Sequence, residues 1–381
     1  MPYGMPFFIS WAARPQKVLV PGEAAVIILR RIIFITFLWP VVTQTIVIYR
    51  LGSLGDTIVA LPCFTAVTRL FPDKRKVLLT NKPVSTKAAP IEAILGEGTG
   101  FFDTSIAYPV GTRSPGALFA LWKQLRAIGS DTLVYLTPPR GKAAHIRDWL
   151  FFKSAGFKTI IGLPLADDLA NCRVDANGIE EREAVRMTRC LAPYHSIDLD
   201  DPSCWDLRLN PAELAAGRAI TVPLHGAPFI AINMGGKAAE KDWGVDNWTQ
   251  LITGLRSDFG HYGVLFVGAG EDGPRADALA AHWSGPSVNA CGKLSPRESG
   301  AAMMGAAAFA GHDSGPLHLA AAMNVPCVAL YGDYNRPAKW HPFGSHHRII
   351  HNMAGVSAIT VADVDTALRD VLGAATLKEI A

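Results

Sequence analysis

Twice along this chain a short, mostly β-branched run ends at a turn that opens a helical pattern, and the cycle then repeats. Thr45-Ile-Val-Ile-Tyr49 runs into Gly52 and a helix over 56–70, followed by a strand over 76–80. Asp131–Leu136 and Thr159–Ile161 read as further strands, with a helix over Ala143–Ala155 between them. The second half begins again at Pro228–Asn233, with strands at 263–267, 305–311 and 326–331 and helices at 247–259, 315–323 and 362–372. Strands separated by helical patterns of 10–15 residues imply βαβ units and parallel sheets. The middle, 163–228, is irregular apart from a predicted helix over Ile179–Leu191. The expected fold is α/β, with two Rossmann-like domains at 45–215 and 216–381 facing across a cleft. Their ligands belong at the carboxyl ends of the strands.

With 381 residues the chain is too long for one ordinary core. Hydrophobic residues are 49% and charged residues 18%, which excludes a disordered chain. A net charge of +3 argues against a nucleic-acid partner, which calls for a concentrated basic face. Cys63, Cys172, Cys190, Cys204, Cys291 and Cys327 form no Cys-x-x-Cys pair and read as buried apolar residues in a reducing compartment.

Residues 1–44 differ from the rest, as a hydrophobic N-terminal extension. Ile32–Tyr49 carries no charge, but Pro40 interrupts it and Thr45–Tyr49 is needed as a strand, leaving too little for a span. Two readings stay open. One is a segment lying in a membrane interface with Trp11, Arg30, Arg31 and Trp39 near the headgroups. The other is an apolar element packed on the domain or on a partner subunit.

Four segments carry chemistry. Arg50-Leu-Gly-Ser-Leu-Gly-Asp56 follows the first strand; Gly52 and Gly55 permit a sharp turn, and Asp56 is either a cleft carboxylate or a plain helix cap. Gly268-Ala-Gly-Glu-Asp-Gly273 matches a dinucleotide fingerprint, but no carboxylate occurs over Ser287–Lys293 where a ribose partner is expected. Glu271 is instead the candidate for ribose hydroxyls, or a solvated turn residue. His312-Asp-Ser-Gly-Pro-Leu-His318 passes from a strand into a helix whose free N–H groups suit a phosphate. Asn233–Trp243 supplies Lys237 and Lys241, either of which can clamp the same anion or be merely solvated.

In this order the segments resemble glycosyltransferase family 9, the heptosyltransferases of lipopolysaccharide core assembly. The resemblance rests on Arg50–Asp56 with Ala60-Leu-Pro62, Lys241-x-Trp243, Gly292-Lys-Leu-Ser295, Asp313–Ala322 and Pro326-x-Val-Ala-Leu-Tyr-Gly332, and spans about 45–350. It implies a GT-B fold and an inverting transfer from a nucleotide sugar, typically ADP-heptose, with no metal or other cofactor. By motif match Asp56 corresponds to the general base, Lys241 to the lysine on donor phosphate, and Asp313, Ser314, Gly315 and His318 to the donor signature. The acceptor implied is a glycolipid or surface glycan. Arg113, Arg140, Lys142 and Arg147 are its candidate partners, or ordinary solvated charges. The site expected is the cytoplasmic face of the inner membrane, with peripheral contact through the N-terminus. The chain departs from the family at Asp333-Tyr-Asn-Arg336, where a Pro-Thr-rich turn is usual, in the loop that borders the donor sugar. A sugar-nucleotide epimerase of the same fold and a non-catalytic binding protein at the membrane are the alternatives.

Overall fold

The central strands form because their side chains are buried on both faces, which favours β-branched runs without alternation. A computed structural model describes residues 44–82, 89–236 and 238–380; the N-terminal extension, apart from Gln44, and Lys237 lie outside the described residues. The first lobe contains β1 (Thr45–Tyr49), α1 (Leu54–Val59), α2 (Leu61–Leu70), β2 (Arg75–Asn81), α3 (Ile91–Leu95), β3 (Thr104–Tyr108), α4 (Pro115–Ala127), β4 (Thr132–Tyr135), α5 (Lys142–Ser154) and β5 (Thr159–Ile161). Helices α6 (Asp167–Ala170), α7 (Glu183–Leu191) and α8 (Pro211–Thr221) lead to the second lobe. That lobe runs β6 (Phe229–Asn233), α9 (Val245–Phe259), β7 (Gly263–Phe266), α10 (Gly273–Ala280), β8 (Ser287–Asn289), α11 (Pro296–Met303), β9 (Ala308–His312), α12 (Gly315–Ala322), β10 (Cys327–Tyr331), β11 (Arg348–His351) and α13 (Val361–Ile380).

Both sheets are wholly parallel among the described residues. The first has strand order β3-β2-β1-β4-β5 and the second β11-β10-β9-β6-β7-β8. Renumbered from its own first strand, the second is 3-2-1-4-5-6, the doubly wound order. Each lobe therefore has one point where the strand order reverses, between β1 and β4 and between β6 and β9.

Period-two alternation sends Ile46 and Ile48 to one core and Val47 and Tyr49 to another, on the opposite sheet face. The first of these cores does not stop at the lobe. It continues through Leu317, Leu319, Ala231 and Phe309 of the second lobe, so the lobes share one apolar cluster. The outer face of the second sheet is sealed by Trp243 and Trp248, their rings edge to face at 5.0 Å.

The structure departs from the sequence reading in a few elements. The helix expected over 56–70 is broken at Ala60, because Pro62 lacks an N–H and opens α2 as a new helix. The helix expected from Ile179 starts at Glu183, since Glu180 is held in a bridge to Val174. Edge strands β3 and β11 were not anticipated. Both are short and partly exposed, so burial leaves little hydrophobic signature in them.

Arg297 of α11 fastens this arrangement. It is 3% exposed and bonds Glu213 at 2.7 and 2.9 Å, the Leu95 and Leu207 carbonyls at 2.8 Å and the Arg208 carbonyl at 2.9 Å. Gly96 adopts φ +80° beside it, and a Cβ there would fall 2.5 Å from the guanidinium carbon. One cation thus joins α3, the connecting chain, α8 and α11. Removing one partner of a buried, fully bonded pair costs roughly 3–5 kcal/mol. Arg297→Met should lower the urea unfolding free energy by about that amount; a loss below about 1 kcal/mol contradicts the assignment.

Candidate active site

The reversal point of the second sheet lies between β6 and β9, so the loops after these strands should meet a ligand. They hold Lys241, Asp313 and Ser314. Lys241 Nζ donates to Asp313 Oδ2 at 2.7 Å and to the Asp313 carbonyl at 3.3 Å, and lies 4.3 Å above the Tyr334 ring. An ammonium has three protons, and these contacts leave one for an anion. Asn335 Nδ2 donates to the same Asp313 oxygen at 2.5 Å. Ser314 stands at the N-cap of α12 without capping it. Its hydroxyl instead donates to Asn233 Oδ1 at 2.9 Å, and Asn233 is fixed by the Val267 carbonyl at 2.8 Å. The first N–H groups of α12 are therefore left without a side-chain cap, at the end of the helix that favours negative charge.

His312, the other histidine of this segment, belongs to the core. It is fully buried, its Nε2 accepts the Trp243 N–H at 3.1 Å, and burial pushes its pKa down to about 4. As a neutral ring it holds the Lys241 loop against β9.

On the first lobe, Asp56 occupies the third position of α1. Its Oδ2 accepts the Ser53 N–H and the Ser53 hydroxyl, each at 2.7 Å. Among the described residues no donor reaches Oδ1. A carboxylate can thus cap its own helix with one oxygen and present the other. Gly52 has φ +138°, and a Cβ on it would lie 2.6 Å from Asp56 Cβ. Behind the turn Arg50 is 1% exposed and, among the described residues, pairs with no carboxylate. It donates to the carbonyls of Asp56 and, at 2.5 Å, Leu136, drawing the ends of β1 and β4 together.

The two helix tips touch. A Cβ on Gly55 would lie 2.9 Å from His318 Cδ2, and one on Gly315 would lie 2.7 Å from Leu54 Cδ2. His318 is 5% exposed, and burial lowers its pKa. It also lines a cavity of about 250 Å³ between the lobes, with Ile58, Val59, Ala322 and Phe343. Asp56, Gly55, Gly315 and His318 are thereby brought to one place, with Lys241, Asp313 and Ser314 alongside.

Glu271 is exposed in the turn between β7 and α10. The glycines around it serve loop packing. Asp272 fills the space over Gly268, where a Cβ would be 2.5 Å from its carboxylate, and Gly292 stacks on Gly270 with a Cβ distance of 2.5 Å. Arg140 and Arg147 both bond Asp148, at 3.0 and 2.9 Å, and Lys142 pairs with Asp167 at 3.5 Å. Arg113 is exposed in the turn before α4.

Several polar residues here were not singled out by the sequence. Tyr334 and Asn335 come from the loop that departs from the family pattern, and that departure was their only signal. Tyr49, Tyr108, Asp148 and Tyr135 join Arg140, the one member already singled out, in a chain of hydrogen bonds of 2.6–3.2 Å at the ends of β1, β3 and β4. Tyrosines at strand ends gave no motif by which to find it. Among the described residues no group of three or more His, Cys, Asp or Glu side chains is placed to hold a metal ion.

Residues 119–364 match the family described as glycosyltransferase family 9 (heptosyltransferase). The chain is similar to a solved glycosyltransferase family 9 protein from Veillonella parvula DSM 2008, at 18% identity and a TM-score of 0.65 over 87% of this chain and 98% of that one. It is also similar to E. coli ADP-heptose lps heptosyltransferase II, at 17% identity and 0.60 over 88% and 100%. A third likeness is to E. coli heptosyltransferase WaaC with ADP, at 17% and 0.57 over 86% and 99%. At such identities the likeness establishes the fold, the two-lobed GT-B arrangement. No curated protein matches the chain in sequence.

His312 and His347 are both buried, and burial holds each at about 4. The unfolded chain takes up their protons near pH 6.5 while the native state does not. Their contribution to stability is therefore present above about pH 6.5 and is lost as pH falls towards about 4. Each should remove up to about 1.4 kcal/mol per pH unit in that window. Urea unfolding at about pH 7 and about pH 5 should show a clear loss at the lower value; equal stabilities contradict it.

Proposed function

Since this chain belongs to glycosyltransferase family 9 and is a glycosyltransferase, we propose that it moves heptose from ADP-heptose to a hydroxyl of a lipopolysaccharide-type acceptor, with inversion and without a metal. The observation that carries this reading is the contact of the α1 and α12 tips. It sets a carboxylate with one uncommitted oxygen beside a helix N-terminus without a side-chain cap and a lysine.

Asp56 Oδ1 takes the proton of the acceptor hydroxyl as its oxygen attacks the anomeric carbon. The bond from that carbon to the diphosphate oxygen breaks, and its electron pair leaves with the nucleotide. Charge growing on the diphosphate is met by the N–H groups of Gly315 and Leu317 and by Lys241 Nζ, fixed charges that need no reorganisation. Attack from the side opposite the leaving group inverts the anomeric centre. Asp313 and Asn335 hold Lys241 and the 333–336 loop at the donor sugar. Arg140 and the tyrosine chain behind it take the acceptor's anionic groups.

Asp56→Asn keeps an oxygen for Ser53 but loses the base. It should lower the transfer rate by about 10²–10⁴ while leaving the thermal shift with ADP-heptose unchanged; transfer at the wild-type rate contradicts the mechanism. A thermal-shift panel of ADP-, UDP-, GDP- and dTDP-sugars tests the donor. Stabilisation by ADP-sugars alone is expected, and a response confined to another base overturns the choice of ADP.

A further inference from the structure

We propose that the outer face of the first lobe, formed by α4 and α5, docks on an anionic phospholipid surface. The two helices cover the same side of the first sheet, where Leu121 and Leu125 of α4 and Phe152 of α5 meet Val47 and Leu133. Helical geometry then decides what points away. On α5 the inward positions are His145, Asp148 and Phe152, and the outward ones are Ile146, Trp149 and Leu150, a stripe at i, i+3 and i+4. The outward residues are 45%, 37% and 56% exposed. On α4, Phe119 is 63% exposed and stacks on Trp122 at 5.7 Å. A soluble surface seldom exposes side chains of this size on two neighbouring helices, and exposed apolar groups of this kind mark a contact surface.

Charge selects the partner. Segments 109–128 and 140–158, which contain these helices, carry eight lysines and arginines and one carboxylate, Asp148. Asp148 is buried and bonded to Arg140 and Arg147, and the exposed Asp167 that pairs with Lys142 belongs to α6, so among the described residues neither α4 nor α5 presents an exposed carboxylate of its own. The whole chain is only +3, so the remainder is net acidic and the positive charge is concentrated on this side. Lys123 and Arg126 flank the α4 aromatics, and Lys153 continues the α5 stripe one turn on. Exposed aromatic and aliphatic side chains ringed by cations with long stems suit the headgroup region of an anionic bilayer. There the rings enter the acyl boundary and the cations meet phosphate.

No helix among the described residues is long and apolar enough to cross a membrane. Helix α5 begins just after Arg140, so the face adjoins the rim at which the acceptor is proposed to bind. Docking itself does not depend on that reading.

The test is co-sedimentation of the full-length protein with vesicles of phosphatidylglycerol and phosphatidylethanolamine, against phosphatidylcholine alone. Wild type should bind the anionic vesicles and weaken as salt rises. The variants F119S/W149S/L150S and K123E/K153E should each lose roughly tenfold or more in partition while keeping the wild-type melting temperature and donor-induced thermal shift. Variants that melt as wild type and bind the anionic vesicles within about twofold of it overturn the proposal, as does wild type that binds both lipids equally or neither. Loss of vesicle binding with the donor shift intact separates this inference from the assignment of the transfer site.

Discussion

The approach of two helix tips across the lobes governs the chemistry available here. Gly55 of α1 lies under His318, and Gly315 of α12 lies on Leu54, with no room for a Cβ at either place. A methyl group on either residue would force the helices apart by several tenths of an ångström or displace a side chain. These glycines are needed for proximity between lobes more than for freedom of φ. The shared core behind them, running from Ile46 to Phe309, makes that proximity a property of the folded chain rather than of a bound ligand.

Around this contact polar groups are divided between structure and chemistry. Asp56 caps its helix through Oδ2 and, among the described residues, no donor occupies Oδ1; Ser314 gives its proton to Asn233 and leaves α12 without a side-chain cap. Lys241 is oriented by Asp313 and shielded by Tyr334. His312 remains neutral to hold the loop that delivers Lys241. In each case the fixed partner is what makes the remaining atom well placed, as preorganised electrostatics requires.

The sequence made the repeated strand–turn–helix units legible, because buried parallel strands read as continuous apolar runs. Asp56, Lys241 and the 313–318 segment were found as turn and helix-start residues, and their meeting follows from the reversal points of the two sheets. What escaped has a physical reason in each case. The Arg297 clamp and the Tyr49–Asp148 chain join residues up to 203 positions apart, and no local pattern encodes such pairings. Strands β3 and β11 lie at sheet edges, where exposure removes the apolar signature. The glycines at 268–273 belong to a strand–helix turn, as read from the sequence, and the Asp272 side chain that packs on Gly268 is the part no fingerprint encodes.

The most direct measurement is a crystal structure of the protein with ADP and an unreactive analogue of the donor sugar. The account predicts the diphosphate on the N-terminus of α12 and against Lys241. It also predicts the anomeric carbon close enough to Asp56 for one hydroxyl to bridge them, its oxygen about 3–3.5 Å from the carbon and within hydrogen-bond reach of Oδ1. A nucleotide seated elsewhere, or an Asp56 carboxylate more than a sugar's width from that carbon, contradicts it.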